Sequence, residues 1–358
     1  MSKPKVLIIQ EEFKNYRDPI YSLINEQVDV TVGYTISTEV KSSSYPIIHL
    51  PNKRIGKIIW HIGLRQIINQ FDVVVYAPHF KMIRVATLPF FPHKPKLVTW
   101  SLGVHASYKR LYDLSKKPDW QDSLFEVIQD HADACIFYMP EPIKYWKKYR
   151  NIDEKKYFVA HNTVATAPFD ESVKHERDII LFVGTLYEQK GLGELIDCYA
   201  KAKAVVPSMP ALKIIGKGSE KGKIENLIKE RCLEGDVELT GAIYDESKLK
   251  DYFIKSIVCV SPKQAGLTVL KSLGYGVPFV TRTDAISGGE KTNIIDGKTG
   301  LFYNSKEELV EILIQTVTNP QRFVAMSGAA RHYYQTKASP ERMAQGVIDA
   351  IKYVLSNQ

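Results

Sequence analysis

The sequence predicts an α/β protein of two Rossmann-like, doubly wound parallel-sheet domains facing a cleft. Three observations lead there. Short runs rich in β-branched residues recur along the chain, amphipathic stretches separate them, and one polar stretch without helical period divides them into two sets. The first set is "KVLIIQ" from residue 5, "DVTVGY" from 29, "DVVVY" from 72, "KLVTW" from 96 and "DACIFY" from 133. The second is "DIILFVG" from 178, "LKIIG" from 212, "DVEL" from 236, "IVCV" from 257 and "PFVT" from 278. Between the sets lies "ATAPFDESVKHE", polar and holding a proline, which reads as a linker. The expected organisation is an N-terminal domain over 1–165, a linker over 166–176 and a C-terminal domain over 177–339. A closing helix over 340–358 is expected to pack back on the first domain. That helix has Ser339 as N-cap and Pro340 at its first position.

Composition narrows the class. At 358 residues, 44% hydrophobic and 25% charged, the chain can bury two cores, which excludes a disordered protein. Cys135, Cys198, Cys232 and Cys259 are widely spaced, so reduced thiols are expected, with neither a disulfide framework nor a metal quartet. "MSKPKVLIIQEEFKN" reads as a first strand followed by glutamates and not as a signal peptide, and no run reaches membrane-spanning length. The chain is therefore expected in the cytoplasm or peripherally on the inner face of a membrane. The formal charge of +8 carries no nucleic-acid motif with it. One short segment interleaves aromatics with cations, Tyr145, Trp146, Lys147, Lys148, Tyr149 and Arg150, a pattern that suits either an anionic membrane surface or an exposed helix end.

Ligands of open parallel sheets bind beyond the carboxyl ends of the strands, which directs attention to the residues after each run. "LFVGTLYEQKGLGELIDCYAKA" ends a strand at Gly184 and begins a helix near Gly191, with Lys190 between them. Backbone amides at such a junction suit phosphate, and lysine adds a point charge. "LKIIGKGSEKGKIENLI" repeats the arrangement with Gly216, Lys217 and Gly218. "SPKQAGLTVLKSLGYGVPFV" follows "IVCV" with a loop, Lys263 to Ala265, and a helix opened by Gly266 whose Leu267, Leu270 and Leu273 face the core. Lys271 falls beside that stripe, its stem packed and its charge directed toward the cleft or water. "GGEKTNIIDGKTGLFY" sets Glu290 before a short helix and Gly297 and Gly300 in a turn.

In this order the segments resemble the second domain of retaining glycosyltransferases of glycosyltransferase family 4 (group 1), which have the two-domain GT-B fold. The resemblance runs over roughly residues 130–303 through "ADACIFYMPEPIKYW", "KKYFVAHNTV", "FVGTLYEQKGL", "LKIIGKG", "VELTGAIYDESKLKDYF", "VSPKQAGLTVLKSLGYGVPFV" and "IIDGKTGLF". In the first domain only "NYRDPIYSLI" and "LVTWSLGVHAS" look like acceptor-side segments of the family. The resemblance implies that Lys190 meets the donor diphosphate, that Gly266 and Leu267 lie along the nucleotide sugar, and that Glu290 lies behind the site. The expected donor-binding set is Gly184, Thr185, Lys190, Gly216, Lys263, Ala265, Gly266, Leu267, Thr268, Lys271 and Glu290. The expected catalytic set is His105, Lys190 and Lys263. His79, His161 and Asn162 also follow strands, and His105 is preferred as the polar group of the acceptor side.

Two positions depart from the family pattern. Thr185 stands where an arginine is usual, and Lys263 and Lys271 stand where the family has paired glutamates, the second of which accepts from ribose hydroxyls. Lysine cannot accept a hydrogen bond, so the expectation is a site that keeps its phosphate chemistry and changes its sugar or ribose recognition. The function expected is transfer of a sugar from a nucleotide-diphosphate sugar to a hydroxyl of a glycan or lipid-linked acceptor, with retention, in surface polysaccharide synthesis. Neither a metal nor a cofactor is expected, because no acidic triplet of D-x-D spacing occurs and cations stand near the proposed diphosphate. Two alternatives stay open: a catalytically silent nucleotide-sugar-binding or partner subunit, and a GT-B-like nucleotide-sugar epimerase.

Overall fold

The computed structural model describes residues 2–36, 44–105, 112–173 and 175–356. Its chain forms two compact units, one of Met1–Asn162 with Ser339–Gln358 and one of Thr163–Ala338.

The first unit contains β1 (Lys5–Gln10), α1 (Asp18–Asn25), β2 (Asp29–Tyr34), β3 (Ile47–His49), β4 (Asn52–Ile55), β5 (Ile58–His61), α2 (Leu64–Ile68), β6 (Val73–Tyr76), α3 (Ile83–Ala86), β7 (Lys96–Ser101), α4 (Trp120–Asp130), β8 (Ala134–Phe137), α5 (Glu141–Lys147) and β9 (Tyr157–Val159). Seven of these strands make a parallel sheet in the order β3-β2-β1-β6-β7-β8-β9, while β4 and β5 form a separate antiparallel hairpin. Four consecutive buried residues in β1, β6 and β8 show why these runs read as continuous apolar segments: both faces are covered. The short strand β3 and the hairpin lack such runs and were not legible as strands in the sequence, whereas β9 is the strand expected before His161.

The second unit contains β10 (Ile179–Val183), α6 (Leu192–Val205), β11 (Ala211–Ile215), α7 (Lys221–Glu230), β12 (Val237–Gly241), α8 (Glu246–Ile254), β13 (Ser256–Val260), α9 (Thr268–Gly274), β14 (Phe279–Arg282), β15 (Gly300–Tyr303), α10 (Lys306–Thr318) and α11 (Pro320–Tyr333). Its parallel sheet has the order β12-β11-β10-β13-β14-β15. Gly300 therefore opens a strand and not a turn, since any side chain there would collide with the Phe279 carbonyl of the neighbouring strand. The described residues of the polar stretch 165–176 form neither helix nor strand. It is held on this unit by Phe169 against Tyr275 and by Glu171, which accepts from Arg331 and Gln335.

The chain closes with α12 (Pro340–Ser356) in the first unit, against α1, β8 and β9. Ser339 accepts from the Arg342 amide, as an N-cap does. The helix buries Met343, Val347, Ile348, Ile351 and Val354 in the core that holds Val6, Ile8 and Ile136. Gly346 lets it come so close that a Cβ would strike the Val159 carbonyl.

Candidate functional site

In the second unit the strand order reverses between β10 and β13, and a crevice opens at the carboxyl ends of strands that part in this way. The two loops that flank it are Gly184–Gly191 after β10 and Ser261–Leu267 after β13. They are tied together. The Lys263 amide donates to the Lys190 carbonyl at 3.4 Å, the Thr268 hydroxyl donates to the Val183 carbonyl at 3.3 Å, and the Tyr187 hydroxyl donates to Gln264 Oε1. Gly191 is required at this junction twice over. Its φ of +74° is a left-handed conformation, and a Cβ on it would lie 2.8 Å from Lys263 Cγ.

Lys190 ends a single turn of 3-10 helix just before Gly191 and is only 8% exposed. Its ammonium lies over Gly184, where an added Cβ would be 3.6 Å from Nζ, and 5.8 Å from the centre of the Tyr187 ring. Among the described residues it forms no ion pair. Burial pushes its pKa down, with Cys259 and Glu290 pulling the other way. A buried ammonium without a paired carboxylate is an energetic liability that an anion would relieve.

The other expected donor-binding residues fall around this point with differing roles. Thr185 is exposed beside the crevice. Gly216, at the end of β11, is fixed by packing, since a side chain would run into the Gly184 carbonyl. Ala265 is fully buried and donates its amide to the Ile286 carbonyl at 2.9 Å. Gly266 has open space where its Cβ would be, and α9 begins two residues later than expected, at Thr268, with Leu267 as N-cap. The amides of Gly266, Leu267 and Thr268 have no acceptor among the described residues. Lys263 is exposed at the crevice. Glu290 closes its own loop, accepting from the Gly288 amide at 2.9 Å and from Ser287 at 3.2 Å.

Lys271 corrects an expectation. Its charge goes neither to the crevice nor to water but to Glu246 at the first turn of α8, where the two form an ion pair with the Lys271 side chain largely covered. The reason is tertiary: α8 starts beside α9, and nothing in the local pattern of either helix announces the pair. The position that lost a carboxylate by sequence has one beside it in space. Tyr244, two residues before Glu246, is 77% exposed, with Lys217 Nζ 5.5 Å from its ring centre. Sequence reasoning passed over both Tyr244 and Glu246, although both lie inside a quoted motif.

A second correction concerns Tyr145–Arg150. Tyr145 and Trp146 are buried, Trp146 being 1% exposed, and the Trp146 indole donates to the Gly103 carbonyl at 2.8 Å. Arg150 pairs with the buried Glu126, and Lys147 pairs with Glu154 at 2.6 Å. Tyr145 and Trp146 belong to the core of the first unit, while Tyr149 is 40% exposed. Alternation of aromatic and basic residues along α5 marks a buried face beside a solvated one.

In the first unit the strand order reverses between β1 and β6. Beyond the ends of these strands and of β7 lie Glu11, His79, Phe80, Lys81 and His105. His79 Nε2 is 4.0 Å from Glu11 and Lys81 is 3.6 Å from it, while the His105 ring lies tilted against Phe80 with ring centres 5.5 Å apart. The His105 amide donates to Asp122 at 3.0 Å, and its Nδ1 is buried with no hydrogen-bond partner among the described residues. Burial pushes the His79 pKa down against the pull of Glu11. Asn162 accepts from Arg17, whose buried guanidinium lies over Trp100 and Tyr138, so it is tied into the core of this unit. His161 follows β9. "LVTWSLGVHAS" runs into residues 106–107, which lie outside the described residues.

The chain matches known proteins in sequence over its second half and in structure throughout. Residues 164–333 match the family model described as glycosyl transferases group 1. The chain is 29% identical over 168 residues to an uncharacterized glycosyltransferase of Haemophilus influenzae, covering 46% of each protein. It is 23% identical over 154 residues to the alpha-monoglucosyldiacylglycerol synthase of Acholeplasma laidlawii, covering 42% of this chain and 37% of that protein. The matched region thus spans less than half the length of these relatives. The crystal structure of Anabaena HepE in complex with UDP superposes with a TM-score of 0.69 over 98% of this chain and 100% of that one, at 14% identity. By sequence residues 164–333 match the group 1 glycosyltransferases, and by structure the chain has the GT-B fold of two Rossmann-like parallel-sheet domains.

Proposed function

We propose that this protein is a glycosyltransferase that moves a sugar from a nucleotide-diphosphate sugar to a hydroxyl of a glycan or lipid-linked acceptor, with retention and without a metal ion, in the synthesis of a surface polysaccharide or glycolipid. The observation that carries the proposal is Lys190: a buried ammonium with no ion-pair partner among the described residues, at the switch point of the second sheet, beside the exposed Lys263 and the amides of Gly266–Thr268, which have no acceptor among those residues. Departure of a nucleoside diphosphate builds negative charge on the β-phosphate. Preorganised donors in a water-poor site stabilise such charge most effectively, and two lysines with three amides supply them without a metal ion. The family match over residues 164–333 supports the same reading, as do a relative named for a glycolipid product and a structural neighbour that holds UDP.

Ribose recognition in this reading falls to Glu246, a carboxylate that accepts where Lys271 cannot, and Lys271 orients it. On the acceptor side His105 or His79 would take the hydroxyl. A second reading, nucleotide binding without transfer, is favoured by lysines at 263 and 271 in place of the family's glutamates.

The test begins with uridine, guanosine and thymidine diphosphates in a thermal-shift series. A cognate diphosphate at a hundredfold its Kd should stabilise the protein by about 2.7 kcal/mol. Sugar transfer from the matching donor should then survive excess chelator, and the product should keep the anomeric configuration of the donor. Failure of all three diphosphates at millimolar concentration would overturn the site. Binding with no transfer to any acceptor would leave the second reading standing, and a magnesium-reversible loss in chelator would overturn metal independence.

A further inference from the structure

The first unit carries a surface unlike the rest of the molecule. In the β4–β5 hairpin Ile55 is paired with Ile58 and Lys53 with Trp60, which places these four side chains on one face, while the alternate residues Ile59 and His61 are buried. Ile55 is 64% exposed, Trp60 46%, and Ile58 and Ile62 are exposed as well. Their burial pattern is that of a hairpin with one face packed and the other apolar face left bare, where polar residues are usual. Beside it opens a cavity of about 490 Å³ lined by Trp60, Leu64, Ile68, Ile83, Leu88 and Phe91, with Arg65, Arg84 and His93 among its remaining walls. Phe91 is 63% exposed. The hairpin is anchored there, for the Ile59 amide donates to the Lys81 carbonyl at 2.7 Å and Arg84 donates to the His61 carbonyl at 2.8 Å while lying 5.2 Å from the centre of the Trp60 ring.

Charge distinguishes this surface from an ordinary apolar patch. Residues 50–71 and 73–93 contain Lys53, Arg54, Lys57, Arg65, Lys81 and Arg84 and no aspartate or glutamate. Among the described residues Lys53, Arg54, Lys57 and Arg65 form no ion pair, and all four are exposed. Some cations elsewhere are paired, as Lys147, Lys156, Lys213 and Arg231 are, whereas the two stretches of this surface bring no carboxylate of their own. Bare isoleucine, tryptophan and phenylalanine set among unpaired lysine and arginine match one environment: the boundary where anionic headgroups meet acyl chains. Tryptophan rings sit at that level and cations find phosphate there.

We infer that the β4–β5 hairpin and the neighbouring cavity dock the protein on an anionic phospholipid bilayer, with Ile55, Ile58, Trp60 and Phe91 entering the acyl boundary, a hydrocarbon chain entering the cavity, and Lys53, Arg54, Lys57 and Arg65 lying on the headgroups. No described helix is long and apolar enough to cross a membrane, so this attachment is peripheral and reversible. The inference does not rest on the donor site and stands or falls apart from it.

The test uses the full chain with vesicles of phosphatidylglycerol and phosphatidylethanolamine, and with pure phosphatidylcholine as control. Sedimentation should show at least about tenfold stronger partition onto the anionic vesicles, falling as salt shortens the screening length from about 10 Å at 0.1 M to about 3 Å at 1 M. The Arg54→Gln/Lys57→Gln variant and the Ile58→Ser/Trp60→Ser variant alter exposed residues only, and each should lose about tenfold in partition while nucleoside diphosphate binding is unchanged. In a Trp120→Phe background, lipids brominated along the acyl chain should quench Trp60. Equal partition of both variants, absence of quenching, or no preference for anionic vesicles would overturn the inference. So would concentration-dependent dimerisation that the Ile58→Ser/Trp60→Ser variant abolishes, without vesicle binding, because a second copy of the chain would then be what covers the face.

Discussion

Replacing Lys190 by methionine should stabilise the unliganded protein while weakening its hold on a nucleoside diphosphate. The ammonium is buried, has no ion-pair partner among the described residues and has a pKa pushed down by burial, so an apolar side chain of similar length removes a desolvation cost of about 1–2 kcal/mol. The same change should cost about 1–3 kcal/mol of diphosphate affinity and leave a nucleoside without phosphates unaffected. Urea titration and calorimetric binding read the two effects, and a variant that loses stability and keeps affinity would contradict the assignment. His61 makes a second case at this scale. It is fully buried, Nε2 lies 3.0 Å from the Thr35 hydroxyl, which in turn donates to Met82 Sδ, and Nδ1 has no partner. Burial, with Arg84 and His49 nearby, lowers its pKa to about 4 from an ordinary 6.5. Between these values the unfolded chain takes up a proton that the folded chain refuses. Stability is unaffected by this group above pH 6.5 and falls by about 1.4 kcal/mol per pH unit down to pH 4. His61→Gln should remove that part of the acid sensitivity, which denaturation at pH 4.5 and 7 in both proteins would reveal as a smaller drop in the variant.

At the scale of elements, α8 and α9 decide what Lys271 can do. Because Glu246 already takes its charge, Lys271→Ala should change affinity for inorganic pyrophosphate, which has no ribose, by less than about 0.5 kcal/mol, in contrast to Lys190. The half-exposed pair should itself contribute no more than about 1 kcal/mol to folding in a double-mutant cycle with Glu246→Gln. A loss of affinity at Lys271 equal to that at Lys190 would return its charge to the diphosphate. The tie between the loops after β10 and β13 was partly legible: glycines and lysines after two apolar runs mark strand ends and phosphate chemistry. That Lys190 would be buried and Lys263 exposed was not, because both depend on how the 3-10 turn before α6 packs on the loop before α9.

For the molecule as a whole, the chain leaves the first unit at Asn162 and returns to it at Ser339, so the second unit is continuous in sequence and the first is not. Deleting residues 339–358 removes α12 and the burial of Met343, Val347, Ile348, Ile351 and Val354. At about 1.5–3 kcal/mol for each such side chain, the loss is comparable with the whole stability of a domain, about 5–15 kcal/mol. Calorimetry of the truncated chain should show the unfolding transition of residues 163–338 and no cooperative transition from residues 1–162. Two cooperative transitions would show that α12 is dispensable to the first core.

The sequence by itself determined the class of fold. Strands covered on both faces must be apolar throughout, and the helices between them must be amphipathic, so "KVLIIQ", "DIILFVG" and "IVCV" declare a parallel sheet before any contact is known. It also determined where a ligand would be sought, because the glycines and lysines follow strand ends. Tertiary structure decided the rest, for burial and charge pairing are properties of neighbours distant in sequence. Tyr145 and Trp146 look like surface aromatics among cations until Gly103 and Glu126 arrive from elsewhere in the chain to bury and pair the segment. Lys271 looks free until α8 brings Glu246. Ile58 and Trp60 carry no strand signal in the sequence, and only the pairing of β4 with β5 sets them on one bare face.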